Sequence, residues 1–169
     1  MDSKVVYTLA KSLAKAGLHV VRFNFRGVSG SEGRHDRGEG ELNDARAALD
    51  FAAELVGEAA GSVLMAGFSF GSWVGLNVGA DDDRVAALLA VAPPVNFYDF
   101  SAAVESDKPL SVIYALDDEL VSVEAVQSWL GTVNRPHLVT PVAAAGHLFH
   151  GRLGALRTGV AATLRFVTS

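Results

Sequence analysis

Residues 62–67, SVLMAG, form an apolar run without polar alternation, and Gly67-Phe68-Ser69-Phe70-Gly71 and a stretch of small and apolar residues follow directly. A strand with one wet face alternates, whereas a continuous apolar run fits a strand covered on both faces, as in a parallel sheet flanked by helices. The rest of the chain keeps that rhythm. Val5, Val6, Leu9, Leu13 and Ala16 fall at helical spacing, with Asp2 or Ser3 as N-cap and Gly17 as the stop. LHVVRFNF (18–25) reads as a strand running into the Gly/Ser-rich loop RGVSGSEG (26–33), and Leu42, Ala45, Leu49, Ala52 and Val56 mark a helix over 40–56. After the central run come a small-residue helix (70–79), strands at 84–92 and 109–116, a helix at 122–131, a strand at 137–143 and a helix at 151–167. Strands alternating with helices make βαβ units. The expectation is one α/β domain over residues 1–169, with a doubly wound, mostly parallel sheet of about five strands.

Composition removes whole classes of function. The chain has 19 acidic against 14 basic residues, a formal charge of −5, and no Lys/Arg run able to follow a phosphate backbone, so nucleic acid is not expected as a partner. It has no cysteine, which excludes disulfides, thiolate metal sites and thiol catalysis, and is compatible with the expected cytoplasmic location. No window approaches the roughly 18 uninterrupted apolar residues of a membrane span, and the N-terminus lacks the order of a signal peptide. Asp81-Asp82-Asp83 reads as a solvated turn, and neither a metal nor a cofactor is expected; the Gly-x-Gly-x-x-Gly and Gly-Lys-Ser/Thr fingerprints of nucleotide sites are missing.

Gly67-x-Ser69-x-Gly71 gains meaning from its surroundings. A nucleophile elbow needs a strand before the serine, a helix after it and small flanking residues, so that the serine can occupy a strained turn. Strand 62–66 supplies the approach, Gly67 and Gly71 the room, and the helix from Phe70 turns its first N–H groups towards negative charge developing near Ser69. A serine hydroxyl requires a base and an orienting acid, which in the elbow architecture follow in chain order, acid then His. Of His19, His35, His137, His147 and His150, only His147 lies just after the last strand, at the carboxyl edge of the sheet where Ser69 also sits. His150 reads as its packing or capping neighbour. The acid lies in Asp117-Asp118-Glu119; the spacing Ala115, Asp118, Val121 selects Asp118, with Asp117 as the alternative.

The stretches VVRFNFRGVSGSEG, AGFSFGSWVG, AVAPPVNFYDFS, LDDELV and GHLFHGRL together resemble compact bacterial α/β-hydrolases of the dienelactone-hydrolase-like or esterase-like kind. The resemblance implies nucleophile, acid and base roles for Ser69, Asp118 and His147, and an oxyanion donor in the N–H of Phe70. Ala115 stands where such proteins usually carry Gly, and Gly146 where Asp is common. Such proteins also begin with further strands and a His-Pro-rich loop that leads into the helix starting here at Asp2. The chain is therefore expected to be an N-terminally truncated hydrolase core, lacking the strand between 18–25 and 62–66 and the second oxyanion N–H; alternatively, 18–25 pairs directly with 62–66.

Only residues 93–108 separate two strands where a lid would be inserted, which points to an open site for small soluble esters or thioesters. Phe68, Phe97 and Tyr98 are the candidate substrate contacts, although Phe97 and Tyr98 are equally suited to packing their loop, and RGVSGSEG shapes the rim. The expected partner is a small ester or acyl substrate, and the sequence leaves a homodimer open. The competing reading from another class is a non-catalytic binding or scaffold module.

Overall fold

The computed structural model describes residues 3–57 and 63–169. Asp2 and Ser62, named above as a helix cap and a strand start, lie outside these residues. The elements are α1 Lys4–Lys15, α2 Glu39–Val56, β1 Val63–Phe68, α3 Phe70–Gly79, β2 Val85–Val91, α4 Ser101–Glu105, β3 Leu110–Ala115, α5 Val123–Leu130, β4 His137–Val142 and α6 Leu153–Val167. At the first helix the Ser3 hydroxyl accepts the N–H of Val6, satisfying one of the donors a helix start leaves open.

β1 to β4 form a parallel sheet in chain order. Each crossover steps to the neighbouring strand in the same direction, so the right-handed rule carries α3, α4 and α5 over one face. The two cores reflect this. Leu88, Ala90, Val112 and Tyr114 pack with α2, α3, α4 and α5, while their strand neighbours Leu89, Val91, Ile113 and Ala115 pack with α1 and α6. Burial on both faces is why β3 is apolar along most of its length and buried throughout. β4 carries Pro141, which an edge strand accommodates because a proline there need not donate to a further ladder.

Two expectations are corrected. The sheet has four strands among the described residues, not about five, and 18–25 makes no ladder with β1. Its side chains find the cores, Leu18 and Val20 one and Phe25 the other, but its backbone has no strand beside it. β-propensity describes how side chains suit a pleated surface and does not provide the neighbouring ladder. The loop between β2 and β3 also contains the five-residue helix α4, too short to announce itself by periodicity.

Candidate active site

The loops after β1, β3 and β4 open at one edge of the sheet because the strands are parallel. At the first, Ser69 caps α3 with φ 52 and ψ −127, a combination unusual for any residue but glycine. The turn is held by Ser69 N–H donating to the Val91 carbonyl at 2.8 Å, and by the Ser72 N–H and hydroxyl donating to the Ser69 carbonyl at 2.8 and 2.6 Å. A Cβ at Gly67 would run into the backbone at Gly71, whereas one at Gly71 would meet only the Phe25 ring at 3.8 Å. The close approach therefore demands glycine at 67.

The second and third loops bring Asp118 and His147 to this turn. His147 Nε2 lies 2.9 Å from Ser69 Oγ, and His147 Nδ1 lies 2.8 Å from Asp118 Oδ2. Asp118 Oδ1 accepts the N–H groups of Leu120 and Val121 at 2.9 Å each, which aims the other oxygen at the ring. The Asp118 and His147 side chains are 3% and 5% exposed, so the pair is almost wholly buried. With a carboxylate at Nδ1, that nitrogen carries the proton and Nε2 is left to accept from the serine hydroxyl. Asp117 is exposed, and its N–H donates to the Ala145 carbonyl.

The imidazole of His147 is also held from behind. Phe68 lies against the imidazole with ring centres 5.2 Å apart, and the His147 N–H donates to Glu119 Oε2 at 3.0 Å. That backbone N–H holds the Glu119 carboxyl below the usual carboxylate range. Two residues on, Phe149 is fully buried at φ 52 and donates its N–H to the Gly146 carbonyl, pinning the turn into the core.

Phe70 is the first residue of α3, so its N–H has no intrahelical acceptor, and it finds no partner among the described residues. Its ring is the centre of an aromatic cluster, with Phe25, His35, Trp73 and Tyr98 at 5.5 to 5.7 Å. Tyr98 thus packs on Phe70 and Trp73, while Phe97 is 65% exposed. No local spacing announces this cluster, because its members are distant in sequence. The rim loop 26–38 adjoins it through polar ties. Arg26 binds Asp44 through its guanidinium and its N–H, which holds the Asp44 carboxyl below its ordinary value. Burial pushes the Glu41 carboxyl up, but the N–H groups of Asp36 and Gly38 outweigh it and leave the group below its ordinary value. Glu41 also meets His35 Nδ1 at 2.7 Å. Glu41 makes one half of a capping box, its carboxylate taking the Gly38 N–H, while Gly38 has no side chain to return the bond.

The other histidines lie elsewhere: His19 and His150 are exposed, and His137 faces the Arg135 carbonyl. A groove of about 540 Å³ runs between α4 and α5, lined by residues including Val95, Tyr98 and Trp129, but by none of Ser69, Asp118 and His147. Among the described residues no three His, Asp or Glu side chains are grouped to hold a metal, and no helix is long and apolar enough to cross a membrane.

Known proteins share sequence and fold with this chain. A model of the X-Pro dipeptidyl-peptidase (S15) family matches residues 1–111. The uncharacterized protein RP471 of Rickettsia prowazekii is 38% identical over 130 residues, which are 75% of this chain and 54% of RP471. The chain thus spans little more than half the length of that relative. Among solved structures, an α/β serine hydrolase homologue from Coxiella burnetii superposes with a TM-score of 0.89 at 38% identity, covering 97% of this chain and 77% of that one. XC6422 from Xanthomonas campestris, an α/β serine hydrolase without a lid, superposes with a TM-score of 0.88 at 35% identity over 98% of this chain and 74% of its own.

Proposed function

Because the chain belongs to the X-Pro dipeptidyl-peptidase (S15) family, within the α/β-hydrolase superfamily, we propose that it is a serine hydrolase that cleaves a small ester or thioester through an acyl-enzyme. The observation that carries this reading is the unbroken line from Ser69 Oγ through the imidazole of His147 to Asp118, with links of 2.9 and 2.8 Å, on a serine at positive φ.

In this mechanism Ser69 Oγ attacks the acyl carbonyl while its proton passes to His147 Nε2. The bond from the carbonyl carbon to the leaving oxygen or sulfur then breaks, and the Nε2 proton goes to the leaving group. Water attacks the acyl-Ser69 carbonyl, its proton passing to Nε2; the acid leaves and Ser69 regains its proton. Asp118 remains ionised, fixes the tautomer and stabilises the imidazolium. The open Phe70 N–H donates to the oxyanion at both tetrahedral stages.

The choice of a small, soluble substrate rests on the short β2–β3 connection, whose only element is α4. Phe68, beside the imidazole, and the exposed Phe97 are the proposed substrate contacts; Tyr98 acts on the site through the ring of Phe70.

The test is hydrolysis of short p-nitrophenyl esters and acyl thioesters by the wild type and Ser69→Ala, with fluorophosphonate labelling in parallel. The expected result is turnover and a stoichiometric adduct on Ser69 in the wild type, with both lost in the variant. Equal rates in the two proteins overturn the assignment, and a folded wild type that takes no adduct leaves the fold as a non-catalytic module.

A further inference from the structure

The loop after β3 grips the loop after β4 at more points than a triad needs. Leu116 N–H donates to the Val142 carbonyl and Asp117 N–H to the Ala145 carbonyl, extending the strand contact beyond the sheet. Asp118 then takes the imidazole of His147, and its neighbour Glu119 takes the backbone N–H of the same residue at 3.0 Å. Two consecutive carboxylates thus hold the two ends of one histidine.

Gly146 is what lets the second carboxylate in. A Cβ at this position would lie 2.7 Å from Glu119 Oε2. The obstructing atom is the tip of a flexible, exposed side chain, so the fold can absorb a methyl group there by letting that tip swing away. Its cost is the bond to His147. The Phe149 N–H holds the carbonyl end of the Gly146–His147 peptide and Phe68 backs the ring, so without Glu119 that peptide is fixed at one end only and can rotate about it. That rotation moves Nε2 relative to Ser69, and misplacement of a reacting group by about 1 Å lowers rates by about a hundredfold.

We propose that Glu119 is a positioning residue for His147, that it clamps the backbone while Asp118 clamps the ring, and that glycine at 146 is required for the clamp to close. The proposal rests on the hydrolase reading for its kinetic consequence and on geometry alone for the clamp.

The experiment combines kinetics on a short p-nitrophenyl ester with the amide resonance of His147 in the intact chain. Glu119→Ala and Gly146→Ala are each expected to lower kcat by about ten- to a hundredfold, with KM nearly unchanged. Glu119→Gln, which keeps an acceptor oxygen, is expected to retain most of the rate. The double variant is expected to fall no further than the worse single one, since both changes break one bond. The His147 amide proton is expected downfield in the wild type and Glu119→Gln, and shifted upfield in the two alanine variants. Wild-type kcat in both alanine variants, additive losses in the double variant, or an unmoved amide resonance overturns the clamp. A wild type without Ser69-dependent turnover instead overturns the hydrolase reading, and the amide resonances then decide the clamp on their own.

Discussion

The site has two walls, built on different physics. On the Asp118–His147 side, β3 is buried along its whole length, β4 pairs with it residue by residue, and the two side chains sit one short loop beyond the register. On the elbow side, β1 has among the described residues a ladder neighbour only in β2, most of its residues are half-buried, and the flanking segment 18–25 lies outside the sheet. There the rim is tied by the ion pair Arg26–Asp44 and the buried carboxylate of Glu41. One wall inherits its precision from apolar packing and strand register, the other from polar contacts on an irregular backbone. Chemistry should fail abruptly when the first is altered, whereas stability and acid tolerance should report on the second.

The largest effect is expected at Asp118→Asn. The amide keeps the shape but offers a donor where Nδ1–H needs an acceptor, which favours the wrong tautomer; kcat for a short ester should fall by about 10⁴-fold while the unfolding midpoint stays close to wild type. A loss of only a few-fold would move the orienting role away from this carboxylate. On the other wall, Glu41→Ala strips the N–H groups of Asp36 and Gly38 of their acceptor. Stability measured by urea unfolding should drop by about 1–3 kcal/mol, with faster amide exchange at those two positions and esterase activity within tenfold of wild type. If activity instead collapses with Glu41, the elbow wall takes a closer part in the chemistry than its polar ties imply.

The smallest effect concerns pH. The guanidinium of Arg26 holds the Asp44 carboxyl below its ordinary value, so the pair contributes stability above the unfolded pKa of about 4 and loses it as pH falls through the lower folded value. Urea midpoints of the wild type and Asp44→Asn should therefore differ at neutral pH and converge in acid. A gap independent of pH would show that the carboxylate's charge is not what ties the rim.

The two walls were also unequally legible in the sequence. Parallel alternation could be read because continuous apolar runs such as LSVIYA and VAALLAV mark strands covered twice, and that alone sends the loops after β1, β3 and β4 to a common edge. LHVVRFNF is rich in β-branched and aromatic residues yet makes no strand, because a ladder depends on what lies beside a segment and not on the segment itself. The cluster around Phe70 joins positions 25, 35, 73 and 98, which no local spacing reveals. Glu119 was simply one carboxylate in a run of three, since the turning of a loop decides which acid meets a backbone N–H. Gly146 could be seen as a departure from the usual Asp, but the space it leaves is a fact of the folded chain.

The dihedral angles of Ser69 set stability and reactivity against each other at one position. Glycine would adopt φ 52 and ψ −127 freely, whereas a side-chain-bearing residue held there costs on the order of 1–3 kcal/mol. Glycine in its place is expected to relieve that cost and to remove the hydroxyl, so on the serine-hydrolase reading sturdiness and reactivity are traded at this one residue.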